Sequence, residues 1–222
     1  MTARQLGRIG ILVTSLLPGQ VGAQRGVRAA ATLAHADHRV DAGFGPERSS
    51  GFVLGGEVRI AVRHGLTLAA AGSAGHLGAD GNDGIDRDIA QLNVSAQLVP
   101  LAWLALEAGL AVRTYSTVVA RQRWTLVRLS AEARVPLSGE VVHALGRAGL
   151  FPLVSVNGLP GPDVAFETAV GLEYARGRWT VDLHYSLERC DFPFQGAGER
   201  SEQLAALTLR LGWTPPGLSG TR

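Results

Sequence analysis

The strongest constraint on this chain is an alternation of apolar and polar residues that returns in ten short segments. Residues 179–188 show it plainly. Trp179, Val181, Leu183, Tyr185 and Leu187 fall on one face of an extended strand, and Thr180, Asp182, His184, Ser186 and Glu188 on the other. Successive side chains of a strand point to opposite sides, so each such segment has one apolar and one polar face. The pattern predicts strands at 25–41, 51–63, 66–79, 89–99, 102–116, 123–137, 141–156, 164–175, 179–191 and 203–213. Their connections alternate in length. His64-Gly65, Pro100-Leu101, Ser138 to Glu140 and Arg176 to Arg178 are tight turns. The stretches 42–50, 80–88, 117–122, 157–163 and 192–202 are longer and mostly rich in turn-forming residues. Alternating short and long links between antiparallel neighbours describe an all-β, up-and-down barrel. About ten strands are expected, with eight as the alternative.

The ends of the chain suggest export. Arg4 and Arg8 precede an apolar run from Ile9 to Leu17, and Val21-Gly22-Ala23 supplies small residues before a cut at Gln24. That layout is a secretory signal at 1–23, cleaved near Ala23. The run is shorter than the about 20 residues a spanning helix needs. The expected organisation is therefore signal 1–23, barrel 24–213 and a short tail 214–222. The chain has 21 basic residues and no lysine. Without the two signal arginines, 19 basic residues face 19 acidic ones, and no basic run or face suggests nucleic acid. A single cysteine, Cys190, excludes an intrachain disulfide and is expected as an exposed thiol near a loop.

Alternation alone does not say which face lies outside, because a soluble barrel turns its apolar face inward. Three features favour lipid outside. The polar faces carry small residues such as Ala69, Ala71, Ser73, Gly109, Ala111, Ala169 and Gly171, which suit a narrow filled lumen. Tyr174, Trp179 and Trp213 collect at the turn end of three neighbouring strands, where an interfacial girdle belongs. The last strand, Leu207 to Trp213, ends on an aromatic of the apolar face. In these features the chain resembles the general outer-membrane β-barrel superfamily. That resemblance implies an outer-membrane site, contact with outer-membrane lipid, and a terminal strand read by the barrel-assembly machinery. The nine residues after Trp213 depart from the family, whose members usually stop at the aromatic.

Parity assigns a lumen network of charges. Its acids are Glu57, Glu107, Glu132, Glu167, Glu173, Asp182 and Glu188. Its arginines are Arg59, Arg113, Arg128, Arg134, Arg147 and Arg210, with Arg63 as a seventh. Balanced charges in a tight space are expected to pair and plug the barrel, since buried charges left alone cost several kcal/mol each. His184 and Ser186 share one face, and Glu199 or Glu202 could add an acid, the parts of an activated nucleophile. His184-Tyr185-Ser186 faintly resembles the His-x-Ser pair of the lipid A deacylases, although Leu187 stands where that family has Asn. Ten strands are also similar to the omptin proteases, whose acid and His–Asp pairs sit at the barrel mouth. Here Asp80, Asp83, Asp86 and Asp88 mark the second long loop, without the spacing of a calcium loop. No cofactor and no metal are expected. The last long loop could close by charge pairs, with Phe192 and Phe194 able to plug the mouth or meet a partner. The expectation is a structural or surface-interaction barrel. The alternatives are a lipid-modifying hydrolase and a secreted soluble ligand-binding barrel.

Overall fold

The computed structural model describes residues 26–215 apart from 44, 64, 82–83, 140 and 196–197. The signal segment, Asp83 and most of the tail lie outside the described residues. Ten strands form: β1 (Val27–Asp41), β2 (Pro46–Arg63), β3 (Leu66–Ala79), β4 (Arg87–Leu101), β5 (Leu104–Ser116), β6 (Arg121–Ser138), β7 (Val142–Val156), β8 (Val164–Arg176), β9 (Trp179–Gln195) and β10 (Gly198–Trp213). Each pairs antiparallel with its sequence neighbours, and β1 closes on β10 from Ala29 opposite Trp213 to Asp41 opposite Ser201. Closure leaves no free sheet edge, which a barrel in lipid requires.

Two of the expected long loops are strand instead. β2 begins at Pro46, and β9 and β10 run on to Gln195 and from Gly198, so 42–50 and 192–202 shrink to short tips. The paired backbone persists there because the partner strand continues. A second irregularity lies in β7, where the register against β6 shifts between Leu150 and Leu153. Pro152, which has no N–H to give to a ladder, occupies that bulge.

The strands have 13–18 residues, whereas about 9–11 tilted residues cross a bilayer. The surplus projects at the loop end, and the outer surface records where lipid stops. On β9 the outward residues are Trp179, Val181, Leu183, Tyr185 and Leu187, then Arg189 and Asp191. On β1 they are Val27, Ala29, Ala31 and Leu33, then, beyond His35, Asp37, Arg39 and Asp41. An apolar belt thus gives way to a charged collar on the loop side. Tyr174, Trp179 and Trp213 face outward at the turn end, with Trp179 directly opposite Trp213. Trp103, in the β4–β5 turn, is exposed at the same end.

Above the belt the alternation changes sign. In β6 the inward residues run Ser130, Arg128, Leu126, Trp124 toward the loops, while the outward ones run Leu129, Val127, Thr125, Arg123. The lower barrel is polar inside and apolar outside. The upper barrel is apolar inside and polar outside, as a barrel in water must be.

Candidate functional site: a braced lumen under an aromatic plug

The lower lumen is built from inward side chains of all ten strands, and arginine–carboxylate pairs fill it. Arg59 Nε donates to Glu57 at 2.5 Å, and Arg210 donates to both Glu57 at 2.8 Å and Asp182 at 3.0 Å. Arg147 binds Glu132 at 2.6 Å, Arg134 pairs with Glu173, and Arg128 bonds Glu107 while reaching Glu167 at 3.5 Å. Arg113, on β5, donates to Gln91 and, across the lumen, to Glu188 on β9, each at 2.6 Å. Every one of the seven lumen acids has an arginine partner. Arg63 does not join them; it is exposed at the turn end of β2. Small residues opposite the long ones make room. A Cβ on Gly171 would come within 2.6 Å of the His184 Cβ and the Leu183 carbonyl oxygen.

These pairs surround a polar cavity of about 240 Å³. The turn end of the lumen meets solvent, since Arg28 and Arg63 are exposed there and the Arg134 side chain is 42% exposed. Toward the loop end the inward side chains are apolar and buried. Leu77, Leu126, Trp124, Tyr115 and Phe192 are each no more than 5% exposed. Tyr115 and Trp124 meet edge to face at 6.5 Å between ring centres, Trp124 and Phe192 at 5.8 Å, and Arg200 lies over Phe192 at 6.0 Å.

Inside the plug sits a polar chain. His38, 1% exposed, stacks on Tyr115 with ring centres 4.2 Å apart and planes 4° from parallel. Arg87 Nη1 donates to His38 Nδ1 at 2.9 Å and Arg87 Nη2 to Glu47 at 3.3 Å. His38 Nε2 stands 3.4 Å from Glu202 Oε2, and Arg200 donates to the other Glu202 oxygen at 2.5 Å. This layer lies level with the charged collar, outside the membrane-spanning segments. Burial holds the His38 imidazole below its ordinary range, and nearby Glu202 only partly offsets it. Burial pushes the Tyr115 phenol up to about 12 and the Cys190 thiol up to about 12.

Cys190 is thus a correction to the sequence expectation. It is 5% exposed rather than a surface thiol, because β9 continues past it and even-numbered residues of β9 face inward. Phe192 reaches the plug from a strand rather than a loop, and the Phe194 side chain lies outside the described residues. The last hairpin also carries charge pairs, Arg189 with Asp191 at 2.9 Å on the outer face and Arg200 with Glu202 within.

Among the described residues, the nucleophile candidates His184, Ser186 and Glu202 are not brought together. His184 faces the cavity, with Nδ1 2.9 Å from Asp182 Oδ1. Ser186 lies one inward step further, opposite Ala206 and Ala169. Glu202 pairs with Cys190, six residues along β9 from His184, or about 20 Å at the rise of a strand. The Glu199 side chain lies outside the described residues. In the second long loop, Asp86 accepts from the Ala79 N–H at 2.7 Å; Asp88 lies in β4 rather than the loop and pairs outside the barrel with His76 of β3 at 2.9 Å. Among the described residues no group of acids, histidines or cysteine is placed to hold a metal. Sequence reasoning named Phe192 as able to plug the mouth but missed Tyr115, Trp124 and His38 beside it. The plug's signal was present as the change of phase in β5, β6 and β9, where Tyr115, Trp124 and Phe192 take the parity of the charged residues.

Closure, strand order and the apolar belt together decide the architecture. The fold is that of an outer-membrane β-barrel. The outer-membrane protease OmpT of Escherichia coli superposes with a TM-score of 0.62 at 12% identity, covering 86% of this chain and 97% of that one. The translocator domain of the autotransporter NalP of Neisseria meningitidis does so with a TM-score of 0.50 at 12% identity, covering 85% and 88%. At that identity the likeness is one of fold alone. No protein-family model matches the sequence, and no curated protein matches it.

Proposed function

We propose that this chain is exported on the signal at 1–23 and inserted through its terminal strand as a small integral protein of the outer membrane. The turn end would face the periplasm and the charged collar the exterior. Its role is structural or at the cell surface, and at neutral pH its lumen is closed. One observation carries this reading: the polar cup ends at a buried aromatic plug, and every lumen acid is paired. A pore of strong ion preference would want a ring of one sign, whereas this lining mixes both signs. The test is planar-bilayer recording of the refolded protein at pH 7.5. Conductance should be small and rare, and stable large channels would replace the closed barrel with a pore. Incubation with lipid A serves the rival enzyme reading. No fatty acid should be released, whereas release abolished by both His184→Ala and Ser186→Ala would make the deacylase resemblance the leading account.

A further inference from the structure

His38 is the one plug residue whose ordinary pKa, about 6.5, lies within the range a cell surface meets. The groups around it fix its state. Arg87 from β4 has only donors, so the nitrogen it reaches, Nδ1, must be the acceptor. The ring is then neutral with its proton on Nε2, facing Glu202 of β10. Arg113 and Tyr115 of β5 and Glu188 and Cys190 of β9 complete the surroundings. Tyr115 and Cys190 keep their protons far above neutrality, and Glu202 is held below the ordinary carboxylate range despite its burial, by His38 and Arg200. A second proton on His38 would land on Nδ1, against the Arg87 guanidinium, in a site buried from bulk solvent.

We propose that the plug is an acid-released latch, so that the closed barrel becomes a passage for small ions when His38 takes up its second proton. The inference rests on the closed-lumen reading above. The sign follows from linkage. The closed form excludes the proton and an opened plug accepts it. Closure is therefore fully stable above about pH 6.5 and weakens as pH falls below that value. One proton gives at most about a tenfold rise in the open-to-closed ratio per pH unit.

The experiment compares wild type with His38→Gln, whose amide can still accept from Arg87 and donate to Glu202 but cannot take a proton. In planar bilayers wild type should be closed at pH 7.5 and open increasingly toward pH 5, while His38→Gln stays closed at both. Cys190, the only cysteine and buried in the plug, gives a second readout. Its maleimide labelling rate in wild type, divided by that in His38→Gln at the same pH, should rise several-fold on acidification. Arg87→Gln removes the opposing cation and should weaken the acid response, which covers the case of His38→Gln failing to fold. Wild type closed at both pH values, with a labelling ratio of one, overturns the latch and leaves the plug intact. An equal acid response in His38→Gln overturns it too. Large channels already present at pH 7.5 reject the closed lumen itself, and the latch with it.

Discussion

At the scale of single residues, the lower lumen depends on pairs that cannot be halved. Arg128 serves two carboxylates on two strands, Glu107 and Glu167, both less than a tenth exposed. Arg128→Ala would strand both, and removing one member of a buried ionic group costs about 3–5 kcal/mol. The denaturant midpoint of the refolded barrel should fall accordingly. Arg63→Ala, at the exposed turn end, should leave it unchanged. Glycines supply a sharper pair of substitutions. Gly171→Ala would press a methyl group onto the main chain of Leu183 and His184, which cannot swing aside, whereas a Cβ on Gly146 meets nothing within 4 Å. Overpacking costs about 1–3 kcal/mol, so Gly171→Ala should lower thermal stability measurably and Gly146→Ala should not. His184→Ala should cost less than Arg128→Ala, since Arg210 remains on Asp182.

At the scale of the strand, one element serves two solvents. β6 is written for lipid up to Val127 and for water from Thr125, and β9 makes the same change between Leu187 and Arg189. The same substitution should therefore act differently along one strand. Leu183→Arg sits in the apolar belt, 48% exposed. An arginine near mid-membrane there costs about 2–4 kcal/mol, so assembly into the heat-resistant folded form should be lost. Gln203→Arg faces the same side of β10 within the charged collar and should assemble normally. Gel shift on heating, scored for both variants, checks the placement of the belt. If Leu183→Arg folds at wild-type yield, the inside and outside faces are exchanged. Trp124→Ala addresses the other half of the strand. It opens the centre of the plug between Tyr115 and Phe192, and large aromatic deletions cost about 3–5 kcal/mol. Its bilayer conductance at pH 7.5 should rise above that of wild type.

At the scale of the whole molecule, the ten strands, their order and the apolar belt were legible in the sequence, because a strand's period of two is local and a lipid-facing side must be apolar along its length. Turn-forming residues marked the connections for the same local reason. The parity of Glu57, Arg128, Asp182 and Arg210 also placed them inside, since parity follows from counting along one strand. Only the tertiary structure decided which charges meet. Arg113 reaches Glu188 across the lumen from β5 to β9, and Arg210 reaches Glu57 past the intervening β1. Such pairings depend on barrel closure and on the stagger between strands, which no single segment encodes. The plug was decided in the same way. Tyr115, Trp124, Cys190 and Phe192 come together at one level above the belt only through closure. There the outer surface meets water, and the hydrophobic effect turns the apolar side chains inward.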